Sequence, residues 1–318
     1  MLPYIHMLGF HIPMYSLMMF VGVLSMFGVF LLNMRNKEIE RASFNRMLFY
    51  LLLCLPVIYI SAFFFDALFH SIEAGRITYG GITWLGGVIC AFPFAIFCFH
   101  RWVPQAKGRA VEYFSYVLPG IALGHGFGRL GCFFGGCCFG RVTDSIFGVS
   151  FPEGSTAANR YPGPDGRSLP VYPTQLFEAA FEFLLFIFMM LFRKKLEKYF
   201  TQIYMIAYGA FRFLLEFLRG DDRGITGLLL TPAQIFSVLM VIAGVLLILH
   251  KNGLVFKKLF ARRKIWQAEA QDYLKKTRIE QEQTHGVRVL KELFELKTQG
   301  AITEEEYNEK KKDILKKL

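Results

Sequence analysis

The sequence predicts an all-α polytopic membrane protein with seven transmembrane helices and a small cytoplasmic helical tail. Of the 318 residues, 54% are hydrophobic and only 19% are charged, whereas soluble domains are about 45–50% apolar and about 25% charged. The last 68 residues, 251–318, hold 28 of the 61 charged residues. Seven apolar stretches approach the length of about 20 residues that crosses a bilayer core. The net charge of +11 therefore points to membrane topology and lipid contacts, and we expect no nucleic-acid partner.

Three of the seven candidate spans contain charged residues. Span four contains Glu112, span five contains Glu178 and Glu182, and span six contains Arg212 and Glu216. We interpret the first apolar run as a retained span, because no small-residue cleavage site follows it. The spans cover residues 13–34, 47–65, 82–100, 111–128, 174–192, 201–218 and 228–250.

The basic residues predict the orientation of these spans. Segments 35–46, 101–109 and 193–198, which follow spans one, three and five, are rich in Lys and Arg. Such loops stay in the cytoplasm, so we expect the N-terminus outside and the C-terminus inside. The long loop of about residues 129–173 is then extracytoplasmic.

Residues 124–141, GHGFGRLGCFFGGCCFGR, contain seven glycines and three of the six cysteines. We expect this segment to leave the helix and to form a re-entrant or cavity-lining segment. Its free N–H groups, with Arg129 and Arg141, would suit a phosphate headgroup. Alternatively, the glycines only permit close helix packing.

Span six carries the second candidate constellation, YGAFRFLLEFLRGDDRG at residues 208–224. Arg212, Glu216 and Arg219 follow an i, i+4, i+7 spacing, so we expect them to share one helical face. Charges inside a membrane are costly and mark candidate sites. Alternatively, Arg212 and Glu216 form a pair that only locks two helices.

Span five opens with VYPTQLFEAAFEF, in which Pro173 is expected to start the helix. Gln175 and Glu178 predict hydrogen-bond support for a neighbouring charged group, with the role of orienting arginines. Tyr15 in span one could reach the same cavity, or it could be an interfacial tyrosine.

These motifs resemble the prolipoprotein diacylglyceryl transferase family over about residues 1–250. The resemblance rests on seven spans, a GRxG segment after span four, a P-x-Q-L-[FY]-E start to span five and a YGxxRFxxExxR run in span six. It implies transfer of an sn-1,2-diacylglyceryl group from phosphatidylglycerol to the lipobox cysteine of a preprolipoprotein. A thioether forms, glycerol phosphate leaves, and no cofactor is expected. The implied location is the bacterial cytoplasmic (inner) membrane. The matching positions are Arg129, Gly131, Gly140, Gln175, Glu178, Arg212, Glu216 and Arg219.

The implied chemistry fits these residue types. The peptide thiolate attacks the glycerol carbon that bears the phosphate, and the phosphate leaves as an anion. Arg129, Arg212 and Arg219 could clamp the phosphoryl oxygens by electrostatic stabilisation and alignment. The thiol must also lose a proton, so a base or a positive field is needed.

The sequence departs from the family pattern where that pattern places polar side chains. His125, one turn before Arg129, could act as the base instead, as could a thiolate of Cys137 or Cys138. The positions where the family has Asn, Asn, Glu, His and His are Cys132, Gly135, Cys137, Leu85 and Tyr172.

The cysteine cluster leaves several interpretations open. A Cys132–Cys137 disulfide is conceivable on the outer side. Zinc held with His125 is another, but C-x4-C-C is not a common zinc spacing, so no metal is expected. A redox-active or nucleophilic thiol would instead suggest a membrane thiol oxidoreductase or another lipid-modifying transferase. A non-catalytic protein that binds anionic lipid would need the arginines alone.

The tail divides into a charged helical linker at 251–284 and a hairpin at 285–318 that resembles the SHOCT module. Gly300 is expected to end its first helix, and Thr303 with Glu306 predicts a capping box that opens the second. A module this small has little core, so we expect self-association or docking to a protein. Its apolar stripe comprises Leu290, Leu293 and Leu296.

Overall fold

The computed structural model describes residues 4–7, 10–35, 37–78, 84–220, 230–251 and 262–317. They fall into two compact units, Met1–Phe260 and Ala261–Leu318. The first unit opens with an antiparallel hairpin of β1 (Tyr4–Met7) and β2 (Phe10–Pro13). All other named elements in the described residues are helices.

The first unit contains ten α-helices among its described residues. Four are long and apolar enough to cross a membrane: α1, residues 41–72 of α2, α7 and α10; the apolar part of α3, Gly86–Trp102, is shorter. Most of each expected span is helical in the described residues, with breaks at 116–117, 217–218 and 230–231; residues 82–83 and 228–229 lie outside them. The helices are α1 (Met14–Met34), α2 (Arg41–Ala74), α3 (Trp84–Trp102), α4 (Ala110–Ser115), α5 (Leu118–Phe134), α6 (Thr156–Arg160), α7 (Thr174–Leu191), α8 (Arg193–Leu196), α9 (Phe200–Glu216) and α10 (Pro232–Lys251).

The fourth expected span differs most from the prediction. It consists of two helices, α4 and α5, and α5 continues through the glycines as far as Phe134. The expectation that the glycine-rich segment 124–141 leaves the helix is therefore wrong as far as Phe134, and only residues 135–141 of that segment are non-helical.

Close packing explains why glycine persists inside α5. A Cβ on Gly124 would lie 2.7 Å from the carbonyl oxygen of Gly22 in α1, and one on Gly126 would lie 2.5 Å from the Phe183 ring in α7. These glycines let α5 pack between α1 and α7, which is the alternative that the sequence left open.

Beyond α5, the backbone turns sharply and pairs with the end of α9. Cys138, at φ +61°, is the one non-glycine residue with positive φ in the described part of the chain. Gly140 forms an antiparallel bridge with Arg219. The Gly140 N–H donates to the Tyr172 carbonyl at 2.8 Å, and the Arg141 N–H donates to the Leu218 carbonyl at 2.9 Å. Main-chain bonds therefore hold residues 139–141 in place.

Arg219 does not share a helical face with Arg212 and Glu216, contrary to the i, i+4, i+7 expectation. Helix α9 ends at Glu216, because the following residues turn to form the bridge with Gly140. The i, i+4 part of the pattern holds, since Arg212 and Glu216 both lie on α9.

The second unit is a helical hairpin of α11 (Arg262–Thr298) and α12 (Glu304–Lys317). Gly300 adopts φ +72° at the turn, a conformation that glycine accepts without strain. The Thr303 N–H donates to a Glu306 carboxylate oxygen at 2.9 Å, and the Glu306 N–H donates to the Thr303 hydroxyl at 3.3 Å. The predicted capping box is confirmed. Residues 252–261 of the expected linker lie outside the described residues.

Candidate active site

A buried polar cluster lies where α5, α7 and α9 meet. Each helix contributes side chains at intervals of four residues, or three in one case, so that they align on the face turned to the bundle interior. All of them are buried, which is costly in a membrane unless they are paired. The cluster comprises His125 and Arg129 from α5, Gln175, Glu178 and Glu182 from α7, and Tyr204, Tyr208, Arg212 and Glu216 from α9.

Glu178 is the centre of this cluster. Its Oε1 accepts a hydrogen bond from Arg129 Nη2 at 2.9 Å and another from the Tyr208 hydroxyl at 2.8 Å. His125 Nε2 lies 3.7 Å from the same oxygen. Because Glu178 has no solvent exposure, its charge must be compensated by these neighbours. The expected contact between Glu178 and an arginine is present.

A second carboxylate holds the imidazole of His125. Glu182 Oε1 lies 2.7 Å from His125 Nδ1 and accepts a hydrogen bond from the Tyr204 hydroxyl at 2.9 Å. A carboxylate at Nδ1 favours the tautomer with the proton on that nitrogen and leaves Nε2 as an acceptor. This arrangement suits a general base.

The charged pair within α9 also contacts the residue that precedes α10. Arg212 Nη1 lies 2.6 Å from Glu216 Oε2. The Thr231 hydroxyl, just before α10, donates to Glu216 Oε1 at 2.9 Å. The ion pair between Arg212 and Glu216, which the sequence offered as an alternative interpretation, is therefore present. Arg212 lies in the site as the partner of Glu216. Arg219 lies beyond the end of this helix, at the Gly140 bridge.

The three cysteines after Arg129 form a thiol cluster, which we define as Cys132, Cys137 and Cys138. Their sulfur atoms all lie within 4.8 Å of one another, and none of the three is in a disulfide, so the Cys132–Cys137 bridge is not formed. Hydrogen bonding to Cys132 and Cys138, together with burial, raises the pKa of Cys137.

The first turn of α7 fixes the backbone of the thiol cluster. Gln175 Nε2 donates to the Cys137 carbonyl at 2.6 Å, and the Thr174 hydroxyl donates to the Cys138 carbonyl at 2.9 Å. Gln175 thus contacts the loop, whereas the sequence led us to expect it beside a charged group. The start of α7 after Pro173 agrees with the prediction.

Arg129 and Tyr15 connect the thiol cluster to the carboxylates. Arg129 interacts electrostatically with Glu178 on one side and with Cys132 and Cys138 on the other. Tyr15 is half-buried, and its ring lies 3.5 Å from the position of a Cβ on Gly131 and 3.9 Å from that of one on Gly135. A Cβ on Gly131 would lie 3.2 Å from the Tyr15 carbonyl, so α1 closes over this part of α5. Tyr15 therefore reaches the same site.

Sequence reasoning missed Tyr204 and Tyr208 as site residues. Their spacing carried a usable signal, because 204, 208, 212 and 216 recur every four residues on α9. A hydroxyl on the same face as a buried charged residue is well placed to pair with a facing carboxylate.

Comparison with known proteins identifies the family of this chain. A family model described as prolipoprotein diacylglyceryl transferase matches residues 3–250. The chain belongs to this family. A second model, described as the short C-terminal domain, matches residues 290–315. Family membership and the apolar helices together make the chain a membrane protein.

Curated relatives carry the corresponding activity in their names. Phosphatidylglycerol–prolipoprotein diacylglyceryl transferase 2 of Clostridium perfringens is 39% identical over 184 residues, covering 57% of this chain and 64% of that protein. The phosphatidylglycerol–prolipoprotein diacylglyceryl transferase of Clostridium tetani is 34% identical, covering 54% and 62%. That of Chlorobaculum tepidum is 36% identical, covering 52% and 54%. The matched part of the chain thus spans less than two thirds of these relatives.

Proposed function

We propose that this protein transfers the sn-1,2-diacylglyceryl group of phosphatidylglycerol to the lipobox cysteine of a preprolipoprotein. The observation that carries the proposal is the buried Arg129 guanidinium. It donates a hydrogen bond to Glu178 at 2.9 Å and precedes Cys132 by about one turn of α5, in a chain of the corresponding family. A cation held at this position can bind the phosphate of the donor lipid beside the acceptor thiol.

In the proposed reaction, the acceptor sulfur displaces the phosphate at the glycerol carbon. The new C–S bond is the thioether, and the C–O bond to phosphate breaks, so that its electron pair leaves with glycerol phosphate. Negative charge on the leaving group rises as that bond breaks. Arg129, assisted by Arg212, stabilises the leaving phosphate, and Glu178 orients Arg129. Arg219 binds the headgroup from the end of α9. Gly131 and Gly140 allow the close backbone approach that shapes the site.

His125 is the proposed general base. The proton of the acceptor thiol passes to His125 Nε2, because Glu182 holds Nδ1 at 2.7 Å and stabilises the imidazolium that forms. Because Glu182 orients the imidazole ring, we favour His125 over Cys137 as the general base. The proton can leave later with the phosphate product.

The test is lipidation of a lipobox peptide by the purified full-length protein in phosphatidylglycerol liposomes, followed by mass spectrometry. We expect a diacylglyceryl adduct on the peptide cysteine and none on a serine peptide. Arg129→Ala should reduce the rate on the order of 10²–10³-fold, as loss of an oxyanion-binding donor does. The control is Arg101→Ala, which removes an exposed arginine at the end of α3.

Two results would contradict the proposal. Absence of any adduct, while the protein still retains phosphatidylglycerol, would favour a non-catalytic lipid-binding protein. Full activity of Arg129→Ala would remove the phosphate-binding role of this arginine. A thiol oxidoreductase would retain its activity in Arg129→Ala and in Arg212→Ala, and would instead lose it when the cysteines are replaced.

For the membrane arrangement, we propose seven spans in the bacterial inner membrane, with the N-terminus outside and the C-terminus cytoplasmic. The basic segments that flank alternate spans support this orientation. We further propose three regions: a transferase domain at 1–250, a charged linker at 251–284 and a SHOCT-like hairpin at 285–318 that docks to a protein or to its own copy. Thiol-labelling of single cysteines introduced in place of the exposed residues Glu38 and Asp165 should show modification from opposite sides of the membrane.

A further inference from the structure

The proposed reaction gives no role to the thiol cluster. Its three sulfur atoms lie close together, and the backbone that carries them is held in place. Three cysteine sulfurs lie within 4.8 Å of one another. Zn–S bonds are about 2.3 Å long, so tetrahedral zinc requires sulfurs about 3.8 Å apart. Shifts of less than about 1 Å in the side chains would bring the cluster to this geometry.

The backbone of the cluster is fixed before any ion arrives. Gln175 and Thr174 hold the carbonyls of Cys137 and Cys138 at 2.6 and 2.9 Å. Cys138 keeps a positive φ of 61°, a conformation that costs a non-glycine residue free energy and is retained where the surroundings enforce it. These constraints fix the main chain that carries Cys137 and Cys138, so that little backbone movement is needed for the clustered sulfurs to bind an ion.

The ligand set selects the kind of ion. Soft thiolate ligands favour Zn²⁺ and Cu⁺ over oxygen-preferring cations. Three thiolates around Zn²⁺ carry a net charge of −1, and the positive guanidinium of Arg129, about one turn before Cys132 on α5, favours an anionic group at this position. Three protein ligands also leave the fourth tetrahedral position open, as catalytic zinc sites do.

We propose that Cys132, Cys137 and Cys138 bind one Zn²⁺ whose open position takes the lipobox cysteine as a thiolate. This inference rests on the proposed function. Coordination to zinc removes the thiol proton outright, and His125 or solvent accepts it. The zinc-bound sulfur then forms the C–S bond while the C–O bond to phosphate breaks, and no oxidant or reductant is consumed. Two of the three replaced family positions in this segment, Cys132 and Cys137, would thus exchange polar side chains for metal ligands.

The first experiment measures metal binding without activity. Full-length protein is reduced, freed of metal and titrated with Zn²⁺, and the bound zinc is counted by elemental mass spectrometry. Co²⁺ then serves as a spectroscopic probe. We expect about one ion per chain and a thiolate-to-cobalt charge-transfer band. In the Cys137→Ser/Cys138→Ser variant, the affinity for Zn²⁺ should be at least tenfold weaker and the charge-transfer band of Co²⁺ should be absent. Cys90→Ser, at an exposed cysteine in α3, is the matched control and should bind like the parent.

The second experiment tests the open position with a peptide. Addition of the lipobox peptide should change the ligand-field bands of bound Co²⁺, and the same peptide with serine at the acceptor position should not. No charge-transfer band in the parent, binding of Cu⁺ alone, or unchanged binding in the double variant would overturn the zinc site. An unchanged cobalt spectrum with the cysteine peptide would overturn its role as the acceptor's ligand.

Activity separates this inference from the proposed function. Equal rates of lipidation with and without bound zinc would leave the transferase standing and would overturn the catalytic role of the metal. Zinc binding with a peptide-dependent cobalt spectrum, but no adduct from phosphatidylglycerol, would retain the metal site and overturn the proposed reaction.

Discussion

Substitution of Gly124 by alanine tests the packing that positions α5. The added Cβ would lie 2.7 Å from the Gly22 carbonyl oxygen, which belongs to the backbone of α1. A flexible side chain could rotate away from such a contact, but a helix backbone cannot. The two helices must therefore separate locally, and α5 carries His125 and Arg129 with it. Gly28→Ala on α1 is the matched control, because its Cβ would have no neighbour within 4 Å.

The size of the effect follows from the contact. Overpacking a close-packed interface costs about 1–3 kcal/mol. At about 2–4 °C per kcal/mol for a domain of this size, Gly124→Ala should lower Tm by roughly 2–12 °C. Gly28→Ala incurs no such clash, and alanine favours helix by about 1 kcal/mol over glycine, so its Tm should stay equal or rise slightly.

The assay is thermal unfolding of the detergent-solubilised protein, combined with lipobox-peptide lipidation at a temperature where both variants are folded. Gly124→Ala should be slower as well as less stable, because a displacement of about 1 Å at a catalytic group costs on the order of 10²-fold. Equal Tm and equal rate for the two variants would refute the assignment of Gly124 to a backbone-to-backbone contact.

Three further outcomes are expected. Glu178→Gln removes the negative charge that faces Arg129 at 2.9 Å. Because a charge-assisted hydrogen bond is worth about 1.5–3 kcal/mol, lipidation should slow by roughly 10–100-fold. A rate within twofold of the parent would contradict the role of Glu178 in orienting Arg129. Tyr208→Phe deletes one hydrogen bond to Glu178 and keeps the charge pair, so its defect should be smaller than that of Glu178→Gln in the same assay; a larger defect would place the hydroxyl in the chemistry itself. In the tail, hydrogen bonds from Thr303 lower the pKa of Glu306, so its stabilisation of α12 is present above the carboxyl's ordinary pKa and is lost as pH falls through the lowered value. The amides of Glu306 and Tyr307 donate to Thr303, so their hydrogen-exchange protection factors, corrected for the intrinsic rate at each pH, should fall at acid pH in the parent and stay constant in Glu306→Gln.

Much of the architecture could be predicted from apolar length and local signals. Pro173 predicted the start of α7, and Gly300 with Thr303 and Glu306 predicted the turn and second helix of the tail. These signals act within a few residues of one another, so the sequence contains them completely.

The end of α5 could not be predicted in the same way. Glycines such as Gly124 and Gly126 read as helix breakers until Gly22 and Phe183 are placed opposite them. Propensity is a local quantity, and packing between distant helices overrides it. The pairing of Arg219 with Gly140 escaped prediction for the same reason, since about 80 residues separate the partners.

The bridge between Gly140 and Arg219 bears on which side chains can be substituted in the segment that precedes it. Its bonds join main-chain atoms of Gly140, Arg141, Tyr172 and Leu218, and any residue except proline supplies the same donor and acceptor. Side chains at Cys132 and Cys137 can therefore be exchanged while the loop keeps its course. Gly140 is the exception, because a Cβ there would lie 2.6 Å from the Leu218 carbonyl. A loop held by its own main chain can thus take a different set of side chains without a change in the course of its backbone.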